Sequence, residues 1–280
     1  MAGTLSLVPT PIGNLGDISP RAAEVLSAAD FIAAEDTRVT VKLLNHLNIK
    51  KPMTAYHRHN RNTAGPAILR RLEGGESCAL VTDAGTPGIS DPGEDLVALC
   101  AAAGIQVEAV PGPCALTVAL SVSGLPTGRF TFEGFLPMNK KNRKARLDAL
   151  AREERTMVFY EAPHKLRDTL GDLAAVFGPA RRIALCRELT KLHEEVLRTT
   201  LGEAVSLYAE QEPRGEFVLV AAGCPPQTEA GDEDAALARA RELHRAGLPL
   251  KAAAAQAAKE FGVKKRTLYN RALQDGEQEN

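Results

Sequence analysis

The first 125 residues repeat one pattern: a short apolar run, a polar or Gly/Pro-rich loop, then a stretch whose apolar residues recur at helical spacing. Five runs read as strands: Leu5–Pro9, Phe31–Ala34, Met53–Tyr56, Cys78–Thr82 and Val107–Val110. Ser19-Pro20 predicts a helix start, because the hydroxyl can accept from a free N–H and the proline ring presets the first helical φ. Gly74-Gly75 and Gly104 predict helix ends. Strand and helix alternating in this way predict an α/β domain with a mostly parallel sheet covered on both faces.

The pattern breaks at Ser123–Phe130 (SGLPTGRF), which places a domain boundary near residue 124. Downstream come FTFEGFLP, a basic helix over Lys140–Arg152, the strand-like TMVFYEAP, a helix over His164–Phe177, and RIALCREL. Alternating runs around Glu195–Thr200 and Phe217–Ala221 predict further strands with some antiparallel pairing, so residues 125–224 read as a second α/β domain. The polar, Pro/Gly-rich PPQTEAGDED predicts a linker over 225–234. Residues 235–274 are helical throughout, broken by Gly247 and Gly262, and the last two helices read as helix-turn-helix. The acidic end DGEQEN is expected to fray.

With 280 residues, 44% of them hydrophobic, the chain can fill two cores and an appendage. A net charge of -1 favours no class of partner, so any anion-binding surface has to be local. The five cysteines form no CxxC or Cys/His cluster, so no metal site is expected, and an odd number of thiols beside apolar residues suits a reducing cytoplasm. The N-terminal MAGTLSLVPTPIGN lacks the basic and apolar regions of a secretion signal. No apolar run approaches the roughly 20 residues of a membrane helix. A cytoplasmic protein without a membrane partner is the expectation.

The loops Leu7–Asp17, Ala33–Arg38, Ala55–Asn60, Asp83–Gly93 and Val110–Ala115 all follow strands, and so share the sheet edge where open α/β sheets bind ligands. Asp83–Gly93, DAGTPGISDPG, is the most informative. Its glycines permit close approach and positive φ, its prolines fix φ, and together they can aim backbone amides and carbonyls at a polar ligand. A Gly/Pro turn with no ligand would read the same way. GxGxxG, GxxxxGK[ST] and GxSxG are absent, which excludes the dinucleotide fingerprint, the P-loop and the hydrolase elbow.

Seven segments, LVPTPIGNLGDIS, AAEDTR, TDAGTPGISDPG, VPGPCAL, GFLP, YEAPHKL and RELTKLHEE, stand in the order found in one family. From about Leu5 to Gly223 the chain resembles the bacterial 16S rRNA (cytidine-2′-O)-methyltransferases of the tetrapyrrole methylase superfamily. Its last helices resemble the helix-turn-helix module at that family's C-terminus. The resemblance implies a class III methyltransferase: two α/β domains with a cofactor cleft between them, S-adenosylmethionine as donor, and a homodimer. It implies methylation of the ribose of a decoding-centre cytidine in 16S rRNA, on the assembled small ribosomal subunit. The loop PTPIGNLGD stands where porphyrin methylases carry GxGPGD, which separates this chain from them.

The family's cofactor positions carry over onto Pro11 and Gly13 after the first strand, and onto Asp83, Gly85, Thr86, Pro87, Gly88, Ile89, Ser90 and Asp91, which would meet the methionine part. Pro111, Gly112, Pro113, Cys114 and Ala115 would approach with backbone groups, Cys114 as a small neighbour rather than a nucleophile. Tyr160, Glu161, Leu189 and Thr190 would cover the adenine and ribose.

A ribose hydroxyl is a poor nucleophile, so a base within hydrogen-bond reach would help. Glu35 and Asp36, beside Arg38, are the leading candidates for that work or for anchoring a ribose or phosphate; Asp83, Glu161, His164 and Lys191 are others. A helix N-terminus with favourable acids and a salt-bridged arginine would give the same AEDTR. His57 and His59 flank Arg58 in what could be a substrate loop. Lys140, Lys141, Arg143, Lys144 and Arg146 form a basic stretch suited to RNA phosphates, and Lys264, Lys265 and Arg266 head a second patch with Lys251, Lys259 and Arg271. An aromatic content of 4% points to recognition by phosphates and shape rather than base stacking. The rival readings are a tetrapyrrole methylase, which needs an open apolar trough, and a DNA-binding regulator that senses the cofactor.

Overall fold

The apolar runs and amphipathic stretches of the first half fold as β1 (Thr4–Leu7), α1 (Pro20–Ala28), β2 (Phe31–Ala34), α2 (Thr37–His46), β3 (Met53–Ala55), α3 (Arg61–Glu73), β4 (Cys78–Val81), α4 (Glu94–Ala102), β5 (Gln106–Ala109) and α5 (Ala115–Val122). These come from a computed structural model that describes residues 2–225 and 232–278, with side chains through Leu273. Ser19 Oγ accepts from the Ala22 amide at 3.1 Å with Pro20 opening α1, as the sequence predicts. The sheet runs β3-β2-β4-β1-β5 with every pairing parallel.

Successive strand residues face opposite sides, so Phe31 and Ala33 join a core with Ile68, Leu72, Leu96 and Cys100 of α3 and α4. Ile32 and Ala34 join another with Ala22, Leu26 and Leu44 of α1 and α2. Burial on both faces is why β2 and β4 are apolar at every position.

The second half contains β6 (Phe130–Phe135), α6 (Lys140–Leu150), β7 (Thr156–Glu161), α7 (Leu166–Phe177), β8 (Arg182–Arg187), β9 (Glu195–Thr200), α8 (Leu201–Glu210) and β10 (Phe217–Ala221). Its sheet is mixed, in the order β6-β7-β10-β8-β9, with β6 and β7 parallel and the rest antiparallel. Two expectations change here. The run over β10 is no half-exposed alternating strand: it is central, and all five of its residues are buried. The helix α8 is also new, and its start was readable as a capping box. Thr200 Oγ1 accepts from the Glu203 amide (3.3 Å) while Glu203 Oε2 accepts from the Thr200 amide (3.0 Å).

One face of this second sheet packs on α6, α7 and α8 around Phe159, Leu170 and Leu219. The other face packs on α5, which brings Leu116, Ala119 and Leu120 against Val158, Ala184, Val218 and Val220. The helix that ends the first half therefore serves as the cover of the second sheet.

By internal contacts the chain divides into Met1–Gly223 and Cys224–Asn280. Of the linker expected over 225–234, residues 226–231 lie outside the described residues. The C-terminal unit consists of α9 (Glu233–Arg245), α10 (Leu250–Glu260) and α11 (Lys265–Gln278), closed on an alanine-rich core with Leu237 and Leu268. Small residues let these helices approach closely. The tail does not fray from residue 275: α11 continues to Gln278, and 279–280 lie outside the described residues. No helix among the described residues is long and apolar enough to cross a membrane.

Candidate active site

The loops after β1, β4 and β5 are tied to one another. Thr10 and Gly85 exchange backbone hydrogen bonds of 2.9 and 3.0 Å, an antiparallel bridge beside an all-parallel sheet, and Thr10 Oγ1 donates to the Thr82 carbonyl at 3.0 Å. Thr86 Oγ1 donates to the Pro113 carbonyl at 2.8 Å. The loop needs left-handed backbone at Gly85 (φ 86°) and Gly88 (φ 82°), and it forces the same on Ser90 (φ 66°), a conformation that costs a side-chain-bearing residue on the order of 1 kcal/mol or more. Gly112 lies against Pro9, where a Cβ would meet the ring at 2.8 Å.

The second half supplies the opposite wall. Tyr160 OH accepts from the Leu116 amide at 3.0 Å, and Phe132 and Phe135 pack edge-on against the Tyr160 ring. Between the walls lies a cavity of about 390 Å³. That is within the ~300–1,000 Å³ usual for small-molecule sites.

Of the residues assigned to the cofactor, Gly85, Thr86, Ile89, Ser90, Asp91, Cys114, Ala115, Tyr160, Glu161 and Leu189 line this cavity. Pro11, Gly13, Asp83, Pro87, Gly88, Pro111, Gly112, Pro113 and Thr190 do not line it; they stand behind or beside it. Gly13 abuts the segment after β8, where a Cβ would lie 2.4 Å from Lys191 Cγ and 2.9 Å from Thr190 Oγ1. The Thr190 hydroxyl is buried there without a partner, on a residue at φ 66°. The sequence reading missed Ile12, Ala84, Phe135, Ala162, Pro163, Cys186, Glu216, Phe217 and Val218. Most of these belong to apolar strands, and only the pairing of β10 between β7 and β8 brings their ends together.

The carboxylates differ sharply in environment. Asp36 caps α2, accepting from the Arg38 amide at 2.8 Å, and holds the Arg38 guanidinium through both oxygens, which pulls its carboxyl down to about 2. Glu35, half-buried, is raised by loss of hydration, although the Asp83 amide donates to it at 3.4 Å. Asp83 is raised for the same first reason, and its Oδ1 accepts from the Asp36 amide at 3.1 Å. Asp91 is pushed up to about 7, first by burial and then by the charges of Glu35 and Asp83, with Arg58 acting against them. Burial also raises the Tyr160 hydroxyl. Glu35, Asp36 and Arg38 stand at the end of β2 and do not line the cavity. Among the described residues no cluster of His, Cys, Asp or Glu could hold a metal ion.

Glu161 is 4% exposed; its carboxylate accepts from the Ala162 amide at 2.9 Å and from the Thr169 hydroxyl. Thr169 Oγ1 accepts in turn from Arg143 Nη2 at 2.7 Å, and Arg143 Nε donates to Asp172 at 2.6 Å. Arg143 therefore faces α7 instead of presenting its charge to solvent, a correction to its place in the basic stretch. Lys144 pairs with Asp148 and Arg146 with Glu133. Lys140 and Lys141 are exposed and form no ion pair among the described residues. In the C-terminal unit, Lys264, Lys265 and Arg266 are exposed at the start of α11.

The family model for Tetrapyrrole (Corrin/Porphyrin) Methylases matches residues 4–205, and that for the RsmI C-terminal HTH domain matches 230–276. The chain belongs to the tetrapyrrole methylase family. Relatives named Ribosomal RNA small subunit methyltransferase I are 48% identical in Synechocystis sp. (97% of this chain, 98% of the relative) and 50% identical in Pseudomonas aeruginosa (98% of each). Among solved structures, the uroporphyrin-III-C-methyltransferase of Thermus thermophilus has a TM-score of 0.56 at 20% identity, covering 78% of this chain and 94% of its own. A diphthine synthase has a TM-score of 0.59 at 14% identity, covering 79% and 90%. At those identities the tetrapyrrole methylase likeness is one of fold. The match over 4–205 spans both sheets, so the two halves make up one methylase unit, with the helical module appended.

Proposed function

We propose that this protein transfers a methyl group from S-adenosylmethionine to the ribose 2′-oxygen of a decoding-centre cytidine in 16S rRNA, on the assembled small ribosomal subunit. The observation that carries the reading is near-full-length similarity, close to half of all residues, to relatives named for ribosomal RNA methylation. The cleft is compatible with the cofactor: apolar Ile12, Leu189 and Phe217 can cover a base, and the Gly85–Asp91 loop offers backbone groups and a carboxylate to a charged amino-acid moiety. The partnerless Thr190 hydroxyl adds a free polar group behind the same wall. When bound, the sulfonium supplies a methyl group already activated for displacement. The protein then has to align it with the acceptor and exclude water.

In this reading residues 1–124 and 125–224 each supply one wall of the cleft, 225–234 is a linker, and 235–274 is an RNA-facing module. The Asp36–Arg38 pair acts as an anchor, since Arg38 is 88% exposed on the side chain and presents a fixed guanidinium to a phosphate. Lys140, Lys141, Lys264, Lys265 and Arg266 contribute phosphate contacts. A cytoplasmic homodimer completes the proposal.

The test is transfer of labelled methyl from S-adenosylmethionine to unmodified small subunits, to free rRNA and to a porphyrin precursor, followed by nucleoside analysis. Label as 2′-O-methylcytidine in the subunit supports the reading; label only in the porphyrin precursor overturns it.

Occupancy of the cleft has its own expected signature. Cys78, Cys100 and Cys186 are buried, with the Cys78 thiol raised to about 12 and Cys186 to about 11 by lost hydration, whereas Cys114 and Cys224 are half-exposed. A thiol reagent should label Cys114 and Cys224 fast in the native protein, and saturating S-adenosylmethionine should protect Cys114 alone. Unchanged Cys114 labelling would count against the cofactor site.

A further inference from the structure

We propose that Asp91 is the proton acceptor of the reaction, the group that takes the hydroxyl proton from the acceptor ribose. This rests on the acceptor proposed above. Three carboxylates line the cleft: Asp91, Glu161 and Glu216. Glu161 is held by Thr169 and the Ala162 amide, and Glu216 Oε2 accepts from Lys191 Nζ at 2.8 Å. Asp91 alone of the three accepts no hydrogen bond among the described residues.

Its surroundings also place it at the meeting of two regions. From the cleft side it faces Tyr160 of β7; from the sheet edge it faces Glu35 after β2, Arg58 after β3 and Asp83 after β4. The backbone holding it is constrained, with Ser90 at φ 66° and the Ser90 hydroxyl close enough to β6 that a Cβ on Gly134 would sit 3.2 Å from it. A carboxylate so placed can receive a proton from an acceptor lying over the ends of β2 to β4 while the donor occupies the cleft.

The chemistry balances. The ribose oxygen forms its bond to the methyl carbon as the carbon–sulfur bond of the donor breaks and leaves its electron pair on sulfur. The hydroxyl proton passes to an Asp91 carboxylate oxygen and from there to solvent. The base works deprotonated, so the rate rises with pH through its titration. Burial and the neighbouring carboxylates raise that carboxyl toward neutrality and strengthen it as a base; Arg58 and the bound cationic donor pull it lower. Asp36, held near 2 by Arg38, is the weaker base.

The experiment compares wild type, Asp91→Asn and Glu35→Gln on unmodified small subunits. It measures single-turnover methyl transfer from pH 5 to 9 and, separately, S-adenosylmethionine affinity by calorimetry. Asp91→Asn should slow transfer at least about a hundredfold while changing cofactor affinity less than about threefold. The acidic limb of the wild-type profile, with its midpoint at or below about 7, should disappear. Glu35→Gln should move that limb to lower pH, because one repelling charge is gone. An Asp91→Asn rate within about threefold of wild type overturns the assignment. A cofactor affinity falling as much as the rate also overturns it and makes Asp91 a cofactor ligand. Wild-type enzyme that binds cofactor yet methylates no ribose overturns the acceptor itself, an outcome distinct from a failure of Asp91.

Discussion

Replacing Gly13 by valine should open the cleft and weaken S-adenosylmethionine binding at least about a hundredfold, equivalent to ~2.7 kcal/mol. A Cβ at this position would lie 2.4 Å from Lys191 Cγ, 2.9 Å from Thr190 Oγ1 and 3.2 Å from the Leu189 carbonyl, so the added atoms have to displace the segment after β8. Lys191 cannot simply swing aside, because Nζ holds Glu188 at 2.9 Å and Glu216 at 2.8 Å. Leu189 and Glu216 line the cavity, and the displacement is therefore passed to its wall. Folding stability should fall less, by ~1–3 kcal/mol, the usual cost of overpacking. Gly128→Ala, where nothing lies within 4 Å, is the matched control and should leave both quantities unchanged. Calorimetric titration and urea unfolding decide it: undiminished affinity in the valine variant would mean that residues 189–191 form no part of the binding wall.

Thr169→Val should destabilise the fold by ~2–3 kcal/mol, through loss of a hydroxyl that no other group can replace. Thr169 is fully buried, and its single oxygen accepts from Arg143 and donates to Glu161. Valine keeps the volume but leaves the buried carboxylate with only the Ala162 amide, and hydrogen bonds to charged groups are worth ~1.5–3 kcal/mol each. Thr169→Ser retains the hydroxyl and should lose no more than ~1 kcal/mol, the amount expected for one methyl group. Urea midpoints at unchanged m-value measure both, and equal losses in the two variants would refute the hydroxyl's role. The valine variant should also weaken cofactor binding, because Glu161, Ala162 and Pro163 form one stretch of the cleft wall.

The first half of the fold was legible because its signals are local. Apolar strands such as Phe31–Ala34 and Cys78–Val81, each followed by a polar or Gly/Pro loop, dictate βα units, and parallel βα units put their loops on one edge. The second half was less legible because its order comes from distant pairings. Nothing near Phe217–Ala221 says that this strand inserts between β7 and β8, so Glu216, Phe217 and Val218 went unrecognised as cleft residues. The Lys140–Arg146 run shows the same limit for charge: composition gives five cations, but only helical phase and the position of α7 decide that Arg143 turns inward while Lys140 and Lys141 stay out. The pair Glu35-Asp36 reads as two equivalent acids in sequence. A cap and an arginine make one a strong acid, and burial makes the other a weak one.

The sharing of α5 between the two halves has a kinetic meaning. The helix follows β5 in the first half, covers the second sheet, and has its second amide satisfied by the Tyr160 hydroxyl from across the cleft. Swinging the halves apart about residues 123–129 would strip apolar surface from α5 and uncap it in the same motion. A clamshell opening is thereby opposed, and the cost would fall on every turnover. Entry and exit of the small ligand should instead depend on local movement of the two glycine-bearing segments at the rim, 85–93 and 188–194. Amide hydrogens there should exchange with solvent far sooner than those of α5, with no unfolding of either half between.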